Sequence, residues 1–526
     1  MFQRCRVSSQ AIFALAVALY AFANGVPAMA QELAPSRVLL IVVDGLRPDY
    51  VTPAVMPHLN ALGKRGMVGE RNHAVFPTVT RVNSSSLTTG TYPQKHGILG
   101  NTVFFPAIDP IKGLSTADAN KLMAIDQSTG GKLQMQPSLP EILKAAGKRA
   151  MVYSSGSSGS AFLMDRTVSG IGIVNIELML PETLKAHVLE TMGAVPAEAT
   201  PNLGVNKYIV DAFIKLGLDE YKPDLTMMWI TDPDHTAHKY GPGAPLTVES
   251  LKAVDGEIGR ILSAIDERGL RESMNIIITS DHGFATYGGD PHPMKTANVT
   301  GLLISKGLKA ATDSDDVVVV EGAIYVKDHD AAKIAAIVQA LQAMPWVGAL
   351  FTRGATPEAT EGTVPGTLSF AVAHWDNERT ADILVAPNWT AAENKYGFKG
   401  RTMMPGIAGH GNSSPFEIHN TLIVAGPGFK VGTSAATPTS NVDIAPTICH
   451  LLGLPEQAQM DGRVLREFLA DGPDAKSVRV ETRRYTAEQK WEGGSYSIEA
   501  NCSLVDGHVY LDYTRARRVA ELTAPK

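Results

Sequence analysis

Three stretches of this chain share one design: a continuous apolar run closed by acidic residues. They are "RVLLIVVDGL" from Arg37, "PDLTMMWITDPDH" from Pro223 and "MNIIITSDHGF" from Met274. A strand buried on both faces of a parallel sheet has no polar side to show, so it reads as an unbroken apolar run rather than an alternation. "ADILVAPNW" and "HNTLIVAGPGF" read as further strands. Helical stretches separate them: "SLPEILKAAG", with Ser138 as the N-cap and Gly147 as the stop, "VESLKAVDGEIGRILSAIDERG" and "DAAKIAAIVQALQAM". Strands alternating with helices predict an α/β fold, a doubly wound and mainly parallel sheet flanked by helices, with loop insertions. In such sheets ligands bind beyond the carboxyl ends of the strands, where these acids and histidines stand.

The chain has 526 residues, 44% hydrophobic and 19% charged, which is the balance of a globular protein. A net charge of -6 without a long basic run argues against nucleic acid as a partner. Arg4 and Arg6 precede the apolar run "AIFALAVALYAFA", and "AMA" at Ala28 to Ala30 offers small residues for a cleavage site. Residues 1–30 therefore read as a secretory signal peptide, leaving one catalytic domain over 31–526 in the periplasm or outside the cell. The run is short for a membrane span, and no later segment is apolar enough for one. Cys5 would leave with the signal; Cys449 and Cys502 would either pair or stay as two core thiols. "SSGSSGSA" (154–161) reads as a short flexible loop, and the tail after about Arg483 as short strands packed on the main domain.

The strand ends hold the candidate chemistry. Asp44 closes the first run, Asp234 and His238 stand four apart on what reads as a loop, Asp281 and His282 follow the third run, and His410 lies in "AGHGNSSPF". Carboxylates mixed with imidazoles suit zinc, and less specifically manganese or iron. Six such residues could hold two divalent ions with about three protein ligands each, leaving positions open for substrate. Thr80, in "FPTVTRVNSSSLTTG", reads by itself as a residue that caps a polar helix.

"VVDGLRPDY", "PTVTRVN", "HGILGN", "DPDHTAHKYGP", "SDHGF" and "GHG" follow one another along the chain. This order resembles the type I phosphodiesterases, the nucleotide pyrophosphatase/phosphodiesterase group of the alkaline phosphatase superfamily. "NVDIAPTICHLLGLP" is similar to the closing helix of that superfamily, so the resemblance covers roughly Arg37 to Leu454. It implies an alkaline phosphatase-like fold and hydrolysis of a phosphodiester or pyrophosphate bond in a small phosphate ester. It implies Thr80 as the nucleophile and Asn101 as a phosphate-binding residue. It also implies that Asp234, His238 and His410 hold one ion, while Asp44, Asp281 and His282 hold the other together with the Thr80 oxygen. The chemistry agrees: a threonine hydroxyl is a poor nucleophile without a base or a metal, and no histidine neighbours Thr80 in sequence. A helix start at Thr80 would also favour an anion.

One departure bears on substrate. Familiar members have an aromatic residue and a proline after the nucleophile, where this chain has Arg81 and Val82. Arg81 is either a salt-bridged helix residue or a second cation for the phosphoryl group or a neighbouring anion. It keeps phosphomonoesterase and phosphonoacetate-hydrolase-like activities open beside diester hydrolysis. Phe104 and Phe105 either stack on a base or pack in the core. His96 reads as a hydrogen-bonding residue behind the site, His235 as a residue facing away, and His292 and His374 as no more than substrate contacts. A sulfatase fits less well, because no cysteine or serine near Thr80 stands in that family's context. A mutase-like role fits poorly with export. A binding protein on an inactive form of the fold would have lost ligands or the nucleophile, and all are present here.

Overall fold

The three acid-closed runs lie side by side at the centre of one sheet. The structure, a computed structural model, describes residues 37–288 and 298–520. The expected signal peptide and His292 lie outside the described residues. Ten strands form the main sheet: β1 (Arg37–Val43), β2 (Met67–His73), β3 (Ala150–Ser154), β4 (Gly172–Asn175), β5 (Met179–Leu180), β6 (Leu225–Ile230), β7 (Met274–Thr279), β8 (His419–Ala425), β9 (Thr433–Ala435) and β10 (Thr439–Ser440). Their order is β9-β2-β8-β7-β1-β6-β3-β4-β5, with β10 also beside β2. Strands β7, β1, β6, β3 and β4 run parallel, while β8 pairs antiparallel with both β7 and β2. The register sets Val43 of β1 opposite Ile230 of β6, and Val42 opposite Thr279 of β7. The acids that follow each strand therefore emerge at one edge of the sheet.

Every residue of β6 and β7 is buried, as is all of β1 after Arg37. One face of the sheet packs residues such as Leu39, Ile41, Met228 and Ile278 under α3 (Pro245–Glu267), which contributes Leu251, Val254 and Ile258. The other face packs Leu40, Val42, Met227 and Ile277 against residues including Ala161, Met164, Ile444 and Ile448. Helices thus cover both faces, as the apolar runs require.

Four smaller sheets accompany it among the described residues, and two of them bear on the site and the tail. A five-stranded sheet orders Val317–Val320, Ala323–Val326, Ile383–Pro387, Val347–Thr352 and Leu368–Ser369. A C-terminal sheet is built from Val480–Trp491, Gly494–Val505 and His508–Ala520, all antiparallel. These are long strands rather than the short ones expected after Arg483. Tyr496 and Ile498 share a core with Leu350 and Phe351 of the five-stranded sheet, which is why the tail folds down instead of extending.

Two further expectations need correction. Ser158–Met164, inside the stretch read as a flexible loop, is a buried helix capped by the Ser157 hydroxyl, which accepts from Ser160 N. Burial against α1 (Thr80–Thr89) stabilises a sequence whose composition looks like a linker. The segment "DHTAHKY", read as a loop, is α2 (Asp234–Tyr240). The Ser138 cap is as expected: Ser138 and Glu141 form a capping box, and Gly147 follows the helix at φ +71°. Cys449 and Cys502 are buried free thiols in two different cores. No helix among the described residues is long and apolar enough to cross a membrane.

Candidate active site

Helix α2 explains why Asp234 and His238 meet. Residues four apart lie on one helical face, and His238 Nε2 stands 3.3 Å from Asp234 Oδ1. His410 Nε2 approaches the same oxygen at 3.3 Å from another part of the chain. The β7 end brings His282 Nε2 to 3.0 Å from Asp281 Oδ2, 3.4 Å from Asp44 Oδ1 and 4.0 Å from Asp234 Oδ1. Gly45, at φ +71°, lets the chain turn sharply after Asp44; a side chain there would meet the Asp234 Cβ at 3.1 Å. Its amide also donates to Asp281 Oδ1 at 3.1 Å.

The hydrogen bonds show what this cluster lacks. Each histidine spends Nδ1–H on a backbone carbonyl: His282 on Gly283 at 2.9 Å, His410 on Thr78 at 2.8 Å and His238 on Ala408 at 3.3 Å. Each Nε2 is thereby turned toward the carboxylates. Asp44 Oδ1, Asp234 Oδ1 and Asp281 Oδ2 are buried without any hydrogen-bond partner. Lone pairs facing lone pairs in a buried space need a cation between them. The Nδ1–carbonyl arrangement also matches how metal-ligating histidines are oriented. The donor set therefore fits divalent ions, in two overlapping groups: Asp44, Asp281 and His282, and Asp234, His282 and His410 with His238 at the rim.

Electrostatics mark the same atoms. Burial pushes the Asp44 carboxyl well above its ordinary range, and the Asp281 and Asp234 charges add to that. Burial raises Asp234 too, but His238 and His410 outweigh it and hold the group well below. Burial and the neighbouring His282 bring His410 down to about 4. Its ring stacks on that of His282 with 3.4 Å between centroids.

Thr80 is the first residue of α1 and is buried. Its Oγ1 stands 3.4 Å from His282 Nε2, against the cluster of carboxylates and histidines. Asn83 holds the approach to the helix, accepting from Val75 N at 2.7 Å and donating to Val75 O at 3.0 Å. Asn441 ties Asn83 to the Asp281 carbonyl, with 3.0 Å to each. The serine- and threonine-rich helix tolerates burial because its hydroxyls bond locally, as Thr89 does to Ser85 O at 2.7 Å. Asn101 reaches the helix start: its Oδ1 accepts from Arg81 N at 3.0 Å, which leaves Nδ2 as the free end of the amide. Arg81 makes no ion pair among the described residues, and its Nε is buried without a partner. Burial lowers its pKa, opposed by the charges of Asp44 and Glu321. Beside these groups opens a cavity of about 770 Å³, walled by Asn101, His238, His410, Glu321, Tyr325 and Trp375.

Other candidates fall outside. His96 is buried, with Nε2 3.1 Å from Ser86 Oγ and Nδ1 accepting from Ile98 N; burial brings its pKa down to about 3. His235 turns away and meets Thr200 Oγ1 at 3.0 Å. His374 stacks on Tyr92 and bonds the Val509 carbonyl. Phe104 packs on Tyr325 and Phe105 lies under Arg379. Two residues escaped the sequence reading. Trp229 donates its indole N–H to Asp44 Oδ2 at 2.9 Å, and Glu321 reaches the cavity from the five-stranded sheet. The Trp229 position, next to last on an acid-closed strand, was a usable signal; Glu321 had none.

Residues 38–402 match the family model "Type I phosphodiesterase / nucleotide pyrophosphatase". Human bis(5'-adenosyl)-triphosphatase ENPP4 is 25% identical over 426 residues, covering 80% of this chain and 79% of that protein. A venom phosphodiesterase of Naja atra is 25% identical over 427 residues, covering 80% of this chain and 44% of its own. Among solved structures, murine ectonucleotide pyrophosphatase / phosphodiesterase 5, in complex with AMP, superposes with a TM-score of 0.59 at 20% identity. It covers 83% of this chain and 100% of that one, a likeness of fold.

Proposed function

The chain belongs to the type I phosphodiesterase / nucleotide pyrophosphatase family, and from that premise we propose that it is an exported, metal-dependent hydrolase acting through a phosphothreonine. Its substrates are phosphodiesters or nucleotide pyrophosphates. The observation that carries this reading is the Thr80 hydroxyl at a helix start, against three buried carboxylate oxygens that lack partners. Asp234, His238 and His410 would hold one divalent ion, and Asp44, Asp281 and His282 the other. Zinc suits this mixture of imidazole and carboxylate best. Bound there, the ions would supply positive charge that lowers the pKa of the Thr80 hydroxyl and offsets charge on the phosphoryl and leaving oxygens.

The chain's own residues then account for positioning. Thr80 Oγ1 attacks phosphorus, and the bond to the leaving oxygen breaks as the Oγ–P bond forms. Water cleaves the phosphothreonine and restores the hydroxyl. The free Nδ2 of Asn101 donates to a non-bridging phosphoryl oxygen, and the positive start of α1 at Thr80 favours the same anion. The 31–526 segment serves as one catalytic domain, and residues 1–30 as its export signal. The cavity beside Asn101 is large enough to keep the substituent that a diester leaves on phosphorus.

A second reading, toward monoesters or phosphonates, is favoured by Arg81. Its unpaired guanidinium could neutralise the extra charge of a monoester or a nearby carboxylate. One comparison tests both. Catalytic efficiencies are measured on p-nitrophenyl thymidine monophosphate, bis-p-nitrophenyl phosphate, p-nitrophenyl phosphate and phosphonoacetate, with wild type and Thr80→Ala. We expect the diesters to lead, and Thr80→Ala to lose on the order of 10⁴-fold or more with near-normal metal content. A lead for p-nitrophenyl phosphate or phosphonoacetate would favour the second reading. An active Thr80→Ala would remove the phosphothreonine.

A further inference from the structure

Glu321 stands where a hairpin of the five-stranded sheet touches the active-site cavity. Val317–Val320 and Ala323–Val326 pair antiparallel, with Val320 opposite Ala323, so Glu321 and Gly322 form the whole turn. Glu321 holds φ at +53°, a left-handed conformation that strains a residue with a side chain. Glycine, asparagine or aspartate would suit such a turn better. The turn is tied to the neighbouring strand: the Val385 amide donates to the Gly322 carbonyl at 2.8 Å.

The strained conformation delivers a carboxylate to one strip of backbone. Glu321 Oε1 accepts from Thr102 Oγ1 at 2.8 Å, and burial raises the carboxyl's pKa, opposed by Thr102, Arg81 and the nearby amides of Asn101 and Thr102. On the opposite side of the strip, the Asn101 carbonyl accepts from Thr116 N at 2.9 Å and Thr116 Oγ1 at 2.6 Å. Asn101 is thus held at its carbonyl by Thr116, while the side chain of the next residue, Thr102, is tied to Glu321. Its side-chain oxygen is occupied by Arg81 N, so the amide can turn only its Nδ2 toward the cavity.

We propose that Glu321 is a positioning residue for Asn101: its carboxylate fixes the backbone at Asn101 and Thr102 and so aims the Asn101 amide at the phosphoryl oxygen. The role rests on the reading of Asn101 as the phosphoryl-binding residue. It makes the five-stranded sheet part of the catalytic apparatus, since the hairpin turn carries the restraint across 219 residues of sequence.

Glu321→Gly is the cleanest probe, because glycine accepts the left-handed φ and the hairpin keeps its shape while the carboxylate is lost. We expect kcat on a phosphodiester to fall about 10- to 100-fold, the usual range for a residue orienting a catalytic group. Metal content should be unchanged and the melting temperature should not fall. Affinity for inorganic phosphate, read by calorimetry on the metal-loaded enzyme, should drop in parallel. Glu321→Gln keeps an acceptor oxygen and should recover most of the loss. Asn101→Ala alone should cost about 10²–10³-fold, and adding Glu321→Gly to it should cost no more than about twofold further. The proposal is overturned if Glu321→Gly matches wild type in both kcat and phosphate affinity, or loses the same factor whether or not Asn101 is present. If wild type turns over no phosphodiester while phosphate affinity still falls in Glu321→Gly, the positioning role stands and the diesterase reading goes.

Discussion

Among the described residues stand two buried clusters of histidine and aspartate, and they differ in one respect. At the strand ends, Asp44, Asp234 and Asp281 each keep a buried oxygen that nothing in the protein satisfies. Between β2, β8 and the C-terminal sheet, His73, His419 and Asp512 form a second group of similar composition. Here the carboxylate is saturated: Asp512 meets His73 Nε2 at 2.9 Å, Arg71 Nη2 at 3.1 Å and Ser503 Oγ at 2.8 Å. His73 and His419 are cross-strand partners on β2 and β8, and a bulge opposite Asn501 and Cys502 aims Asp512 at them. The atom left over is His419 Nδ1, on a ring that burial holds neutral with a pKa of about 3. Composition alone would make both clusters metal sites. The hydrogen bonds separate a group that needs cations from one that already contains its own, Arg71.

The largest effect should come from breaking the unsaturated cluster. Asp281→Ala or His282→Ala should lose at least one ion per chain and nearly all turnover, a fall on the order of 10⁴-fold or more. Elemental analysis and a phosphodiesterase assay on the same sample check this. The saturated cluster should respond in stability. Asp512→Ala leaves the buried His73 ring and the half-exposed Arg71 without their acceptor, which should cost about 1–3 kcal/mol, and should leave metal content and kcat near wild type. Its pH dependence has a definite sign. Burial raises the Asp512 carboxyl, but His73, Ser503 and Arg71 outweigh it and hold the group below its ordinary range. The stabilisation is therefore present above the ordinary carboxylate value and is lost as pH falls through the depressed one. Urea denaturation between about pH 5 and pH 2 should steepen for wild type relative to Asp512→Ala.

Smaller effects sharpen the comparison. Arg81→Ala removes a guanidinium that has no ion pair to lose, so stability should hold. Efficiency on the more highly charged substrates should fall roughly 10- to 100-fold, the worth of a charge-assisted hydrogen bond. A reductant should do least. Cys449 and Cys502 are free and lie in different cores, so dithiothreitol should not move the melting temperature.

How much of this was legible follows from the range of the interactions. The central strands were, because residues such as Ile41 and Ile277 are buried on a sheet covered on both faces and leave an unbroken apolar signature. The acids and histidines at their ends were legible because the parallel sheet collects strand ends in one place. Helix α2 escaped the sequence reading because its seven residues, Asp234–Tyr240, are too short and polar to leave an apolar periodicity. Ser158–Met164 was misread because serine and glycine suggest a linker, and only packing against α1 makes it helical. Glu321 was out of reach: its partner Thr102 is 219 residues away and no local pattern connects them. The saturation of Asp512 was hidden in the same way, since Arg71 and His73 come from the other end of the chain.

The central claim is that unsatisfied carboxylate oxygens, not composition, mark where this protein holds metal. The ratio of bound metal to protein, measured on purified wild type and on Asp512→Ala, tests it most directly. We expect two ions per chain in both, with the strand-end cluster full and the His73 cluster carrying none. Wild type with no bound ion, or a third ion lost in Asp512→Ala, would contradict it.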